Sequence, residues 1–411
     1  MEVLFSMHAT EDWQQTLAAL ALRPRSEPFS ADALSFVEAF SGSLREHQGS
    51  RAHPELAALA YWFRPAAVRQ LRNVFLDRNH GRCIHSRGLV FHLAPSNVDV
   101  LFAYGWLLSI LSGNSNVARL SQKVTQPREV LLQILEGMAS SGAYGRVLKD
   151  SLLVSYPHDD SLTALCSRVC DARLIWGGDA TVEHIRHVPL KPTAVELAFS
   201  DRYSLAALKT SAVLALSAEQ LNKLAERLAN DIFLFNQQAC SSPRSIVWIG
   251  GDEDEIGSAR TNFWAALERA ATRFANPPHA LITRLTDALL LAANGGLRDI
   301  SCPLASFPLR GFGSHILVLE RRLHSGNGFL TEYALDHLAQ LAGHVCEHDQ
   351  TLVAFGFTSE ELVALMPLLP NRAVDRIVAP GEALNFDFVW DGIDLFAVLT
   401  REIRIHKPPQ L

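Results

Sequence analysis

Several common signatures are missing from this chain of 411 residues, and each absence removes a class of function. No GxGxxG opens a helix after a strand, so the usual dinucleotide fingerprint is lacking. No CxxC pair and no HExxH occurs, and the nearest approach to a metal motif is Cys166 and Cys170, four apart on a predicted helix, with His158, His184 and His187 nearby. Two thiols on one helical face pack more often than they bind zinc, so no metal site is expected. Charged residues make up only 19% and the formal net charge is -6, with no Lys/Arg cluster, which excludes nucleic acid as a partner. Long apolar runs are also lacking. The longest, Leu101 to Leu111, is broken at once by Ser-Gly-Asn, well short of the roughly 20 residues of a membrane span. The N-terminus has neither a basic n-region nor a cleavage site, and the six cysteines are scattered rather than arranged as a disulfide framework. Both features lead to the expectation of a cytoplasmic protein in a reducing compartment.

What is present is a compact globular composition, 48% hydrophobic, in a chain long enough for two domains. Residues 10 to 75 read as a run of helices. From Gly88 the pattern changes to strands alternating with helices. Leu-Val-Phe-His-Leu-Ala is a continuous apolar run, the mark of a strand buried on both faces. A helix follows to about Ser112, then strands at 117–120, 152–155 and 173–176, with helices over 126–140 and 160–168 between them. This is a parallel sheet, and its βα turns are where an open α/β sheet holds a ligand. Gly177-Gly178, before a helix opening at Asp179, is one such turn, or an ordinary connection.

The segment Asn236-Gln-Gln-Ala-Cys-Ser-Ser-Pro243 stands between a predicted helix and a predicted strand. The helix begins at Ser217, with Gln220 completing a capping box, and the strand runs from Ser245 to Ile249. Cys240 therefore sits in a short polar loop rich in donors. Such a setting suits a thiolate nucleophile, the alternative being a cysteine packed as a small apolar residue.

Five ordered stretches carry a resemblance. They are Phe91-His-Leu-Ala-Pro-Ser-Asn97 with its continuation to Ser121; Trp176-Gly-Gly-Asp-Ala-Thr-Val; Glu196-Leu-Ala-Phe-Ser-Asp-Arg-Tyr-Ser204; Asn236 to Pro243; and Asp375-Arg-Ile-Val with Trp390-Asp-Gly-Ile-Asp-Leu395. In this order they resemble the LuxC family of acyl-CoA reductases, thioester-reducing relatives of aldehyde dehydrogenases.

The resemblance implies an aldehyde dehydrogenase-like α/β fold. A cofactor domain with an open, mostly parallel sheet is expected over residues 1–206. A second α/β domain, catalytic, is expected over 207–411, with the active site in the cleft between the two. Cys240 would attack a thioester carbonyl, with the side chain of Asn97 and the backbone N–H of Cys240 stabilising the oxyanion. Asn97 also reads as a helix N-cap.

Glu196 falls near the general-base glutamate of aldehyde-oxidising relatives, but Ala198 and Phe199 replace the two glycines that follow it there. Its other reading is a glutamate ending a strand in a solvated turn. The expected cofactor is NADPH, with Pro95, Ser96, Arg119, Ser121, Gln122, Gly177, Gly178 and Asp179 as candidate contacts. Arg119 takes the place of a lysine, and Gln122 that of a glutamate, that face the adenine ribose in aldehyde dehydrogenases. A guanidinium with no acidic neighbour favours a 2′-phosphate.

The implied reaction is reduction of an acyl thioester, on coenzyme A, a carrier protein or a partner acyl-transferring enzyme, to the aldehyde, by a homo-oligomer. Against it stand an aldehyde-oxidising dehydrogenase, a cysteine acyltransferase without hydride chemistry, and a catalytically silent interaction subunit.

Overall fold

The computed structural model describes all residues except 9–11, 95–100, 275, 302–306, 314–317, 371 and 406–411. Asn97, Pro95, Ser96, Cys302 and His315 thus lie outside the described residues. The chain forms two compact units, one of residues 1–200 with 386–411 and the other of residues 201–385.

The first unit is built on a six-stranded sheet. Its strands are β1 (Glu2–Ser6), β3 (Leu89–Leu93), β4 (Ser115–Leu120), β5 (Ser151–Ser155), β6 (Ala172–Trp176) and β7 (Val195–Phe199), while β2 (Cys83–Ser86) lies apart. The spatial order is β1-β5-β4-β3-β6-β7, parallel except for β1 on β5. Every residue of β3, β5 and β6 is buried, His92 and Arg173 included, as expected of mainly apolar strands covered on both faces. Among the parallel strands the chain visits β3 first, builds outward to β4 and β5, then returns to the other side of β3 for β6 and β7. The strand order therefore reverses between β3 and β6, the point where sheets of this kind bind ligands.

The helix Leu101–Leu111 ends at Gly113, whose φ is +82°. A Cβ there would stand 2.2 Å from the carbonyl oxygen of Ser26, so the turn needs glycine. The N-terminal helices appear as expected at Trp13–Leu22, Ala31–Glu46, Pro54–Trp62 and Pro65–Arg78. The short strand β1 ahead of them went unread because five residues carry little periodicity.

The second unit holds a seven-stranded sheet of β8 (Tyr203–Lys209), β9 (Pro243–Ile249), β10 (Asp299–Ser301), β11 (Leu309–Phe312), β12 (Phe329–Leu335), β13 (Asp349–Phe355) and β14 (Arg376–Val378). Its order is β10-β11-β12-β9-β8-β13-β14, parallel apart from β10 on β11. The capping box of Ser217 and Gln220 is present, and the helix Ala218–Phe233 buries Leu224, Leu228 and Ile232 against this sheet. Each such side chain contributes about 1.5–3 kcal/mol.

Both neighbours of β8 shift register at its amino end. Tyr203 pairs with Asp349 and Ser204 with Thr351, leaving Gln350 as an extra residue of β13. On the other side Ser204 pairs with Pro243 and Leu205 with Ser245, leaving Arg244 as an extra residue of β9. Bulges are uncommon between parallel strands and re-aim the side chain they carry.

The division between units falls at residue 200 rather than 206, because a cut at 206 would split β8. Residues 386–411 join the first unit rather than the second. There the strand Thr400–Ile403 pairs with β2, and Leu395, Phe396 and Leu399 are buried. The ring of Phe386 stacks on Tyr104 at 3.7 Å.

Candidate active site

Cys240 lies in the connection between the helix Ala218–Phe233 and β9, and hence at the amino ends of the sheet strands. This departs from the rule that α/β sheets present their sites at carboxyl ends. The loop is shaped by Asn236 and Gln237, which adopt φ values of 51° and 62°, a left-handed conformation that costs about 1–2 kcal/mol per non-glycine residue. The buried Gln237 amide offsets this. Its Nε2 donates to the carbonyls of Pro243 (2.9 Å) and Phe329 (2.8 Å), and its Oε1 accepts from the N–H of Gly328 (2.9 Å). Gln238 ties the same loop to the carbonyl of Ser325 at 2.8 Å.

Cys240 itself is held at two atoms. Ser204 Oγ donates to its carbonyl oxygen at 2.7 Å and accepts from the N–H of Thr351 at 3.2 Å. Gln350 Nε2 donates to its Sγ at 3.5 Å, and Thr351 Oγ1 donates to Gln350 Oε1 at 3.3 Å, orienting the amide with its nitrogen toward sulfur. Arg244, four residues on, donates through Nη1 to the carbonyl of His324 at 2.8 Å, and its guanidinium lies 5.8 Å from the ring centre of Tyr203. Burial lowers its pKa, while Tyr203 and Cys240 act in the opposite sense. Behind these, Arg321 and the buried Asp349 form a two-pronged ion pair.

The other thiols differ. Cys166 and Cys170 are buried on and just beyond the helix Asp160–Val169, and desolvation pushes both up to about 12. Among the described residues, no group of three or more His, Cys, Asp or Glu is placed to hold a metal.

Glu196 is not at a strand end in a solvated turn. It is the second residue of β7, directly across from Arg173 of β6. Its Oε2 accepts from Nε (2.8 Å) and Nη2 of Arg173, and its Oε1 accepts from Arg186 Nε at 3.1 Å. Arg173 is almost wholly buried and also donates to Ser167 and to the Val188 carbonyl. Arg202 of the same motif is buried in an ion pair with Asp375, joining two of the family-like stretches.

The first unit has a cavity of about 280 Å³ at the carboxyl ends of β3 to β6. Leu93, Arg119, Tyr156, His158, Trp176 and Thr181 are among its walls. Arg119 Nη2 donates to the Tyr156 carbonyl at 3.0 Å, and the guanidinium lies 5.4 Å from that ring's centre. Among the described residues, no carboxylate pairs with it.

The other sequence candidates stand less directly on the cavity. Ser121 is buried, its carbonyl held by Arg128 Nη1 at 2.8 Å, and Gln122 is exposed and not in the wall. Gly177 and Gly178 make the tight turn after β6, Gly178 capping the helix Asp179–Arg186, and the wall is formed by Trp176, Ala180 and Thr181 around them. Asp179 is exposed in that helix's first turn. Gln350 and Arg244 were missed by sequence reasoning. Both lie in bulges, and bulges leave no local pattern.

The NADP-dependent glyceraldehyde-3-phosphate dehydrogenase of Bacillus halodurans, solved with NADP, superposes with a TM-score of 0.64 at 14% identity over 95% of this chain and 88% of that one. Aldehyde dehydrogenase 21 of Physcomitrella patens gives 0.63 at 12% identity over 97% and 86%. The NAD-dependent benzaldehyde dehydrogenase of Corynebacterium glutamicum gives 0.60 at 12% identity over 95% and 87%. The fold is that of the aldehyde dehydrogenases.

Within that class the family model described as acyl-CoA reductase (LuxC) matches residues 69–280, more than half of the chain and including Cys240. The chain belongs to the LuxC family. The long-chain acyl-protein thioester reductase of Aliivibrio fischeri is 25% identical over 168 residues, 40% of this chain, and the match spans only 32% of that relative's length.

Proposed function

We propose that this protein reduces an acyl thioester to the aldehyde, carrying the acyl group on Cys240 and taking its hydride from NADPH. The observation that carries this reading is the grip on Cys240. A cysteine in a polar loop, with a buried amide donating to its sulfur, lies inside the region that matches the acyl-CoA reductase family.

Cys240 Sγ attacks the thioester carbonyl, and the carbonyl electrons move to oxygen. Collapse re-forms the carbonyl and breaks the bond to the carrier's sulfur, which leaves as a thiolate and needs little acid assistance. The side chain of Asn97 and the backbone N–H of Cys240 are the proposed oxyanion donors. Reduced nicotinamide, when bound, supplies the hydride for the acyl carbon.

The cavity at β3 to β6 suits that cofactor. It lies where the strand order reverses, and Arg119 offers a guanidinium that no described carboxylate neutralises. Glu196 bears on the alternative, aldehyde oxidation. Hydrolysis of an acyl-enzyme needs a base to activate water, and both oxygens of Glu196 are engaged by arginines. The thioester carrier is coenzyme A, a carrier protein or an acyl-transferring partner enzyme.

The decisive experiment is incubation with acyl-CoA and no reductant. One hydroxylamine-labile adduct is expected on Cys240, absent in Cys240→Ser and Cys240→Ala and discharged as aldehyde on adding NADPH. An adduct that persists in those variants, or that maps to another cysteine, overturns the assignment.

A further inference from the structure

Taking Cys240 as the acyl carrier, as proposed above, leaves open how its thiol is ionised. Glu196 is tied to Arg173 and Arg186 in the first unit. Within the second unit Gln350 reaches Cys240 Sγ, Arg244 bears on it by charge, and both are presented in the same way. Gln350 and Arg244 are the extra residues of β13 and β9, on either side of Ser204, whose own hydroxyl fixes the Cys240 carbonyl. We propose that Gln350 is a further catalytic residue and that, with the charge of Arg244 supporting it, it holds Cys240 as its thiolate, so that the nucleophile is activated by a fixed donor and a fixed cation rather than by a carboxylate base.

Geometry supports the role of Gln350, and charge that of Arg244. Gln350 is wholly buried, its Oε1 accepts from Thr351, and its Nε2 is directed at Sγ. A hydrogen bond to an ionised acceptor is about twice as strong as one between neutral groups, so a donor at this position favours the thiolate over the thiol. Arg244 has no ion pair with a carboxylate among the described residues, and its charge and that of a Cys240 thiolate stabilise each other. Its guanidinium is fixed through the His324 carbonyl and faces Tyr203, and Asp201 and Asp287 are the acidic groups that also act on it. The cation beside it, Arg321, is spent on Asp349. His324 is held neutral by burial and by the nearby Arg244.

The same pair serves both halves of the reaction. In acylation the sulfur lone pair forms the new C–S bond while the carrier's C–S bond breaks, its electrons leaving on the carrier's sulfur. Cys240 has no proton to hand over, having already lost it to solvent. In release, after hydride has reached the acyl carbon, the oxyanion re-forms the carbonyl and the C–S pair returns to Sγ. The thiolate is then a leaving group stabilised by the same donor and cation.

The test is the pH dependence of iodoacetamide alkylation at Cys240, followed on the peptide that contains it. In wild type the apparent pKa should lie below the usual value of about 8.5. Gln350→Leu and Arg244→Met should each raise it by about one unit, slowing alkylation near neutrality about tenfold while the rates converge at high pH. Arg244→Lys keeps the charge and should recover most of the Arg244→Met loss, whereas Gln350→Glu places an anion at sulfur and should raise the pKa further. A structural role alone would change stability without moving the profile. Profiles superimposable on wild type in Gln350→Glu and Arg244→Met would overturn the proposal. The acyl adduct is measured in parallel. Its absence from wild-type Cys240 defeats the thioester reading, whereas the alkylation profile alone decides the proposal about Gln350 and Arg244.

Discussion

Around Glu196 and at Arg119 the guanidinium group meets opposite surroundings. Glu196 lies between the buried Arg173 and the exposed Arg186, and removing its charge leaves Arg173 with a weaker partner. Glu196→Gln should therefore cost about 1–3 kcal/mol of stability, read from urea unfolding, while the folded variant still forms aldehyde. Rapid hydrolysis of the wild-type acyl-enzyme, lost in this variant, would instead favour the oxidising chemistry. Arg119 has no carboxylate partner among the described residues and lines the cavity at the carboxyl ends of the strands. Arg119→Ala should raise the apparent constant for NADPH by about 1.5–3 kcal/mol, more than tenfold, and leave that for NADH nearly unchanged. Equal weakening toward both cofactors would show that this guanidinium does not read the 2′-phosphate.

Among the elements, the helix Ala218–Phe233 does two things for the second unit. Its carboxyl end leads into the Cys240 loop, and in its last turn the buried Asp231 accepts from the backbone N–H groups of Gly381 (2.6 Å) and Ala383 (3.0 Å). Burial pushes this carboxyl up to about 7, against the opposing pull of those two donors. An unfolded aspartate titrates near 3.9. Between about pH 4 and pH 7 the folded state therefore holds a proton that the unfolded state has released, and stability falls as pH rises through that window. Asp150, raised by burial to about 6, adds the same sign in the first unit. Urea midpoints of wild type should decline from about pH 4 to pH 7, and Asp231→Asn should flatten the decline. Parallel curves for the two proteins would show that Asp231 stays ionised on its backbone donors.

Taken whole, the molecule spreads its proposed chemistry over two units, each with its own sheet. The first carries Arg119 and the cavity where the strand order reverses. The second carries Cys240 at the amino ends of β8, β9 and β13. The return of residues 386–411 to the first unit closes that unit with a segment far away in sequence. It makes a hairpin that turns at Asp391 and Gly392, both at positive φ, and buries Phe396 beside Phe29 and Phe75. Among the described residues, no helix is long and apolar enough to cross a membrane.

The amino-acid sequence by itself determined whatever depends on near neighbours. The buried runs of β3 and β6, the capping box at Ser217 and Gln220, and the polar loop around Cys240 all follow from residues within a few positions of one another. The family signature was legible as well, because its motifs are contiguous. Tertiary structure alone decided what Cys240 and Glu196 touch. Gln350 meets Sγ from 110 positions away, and Arg173 meets Glu196 only because β6 and β7 are paired in one register. The extra residues of β9 and β13 exist only relative to β8. Periodicity reports which face of an element is buried, whereas a bulge is a mismatch between two elements, so no single stretch of sequence contains it.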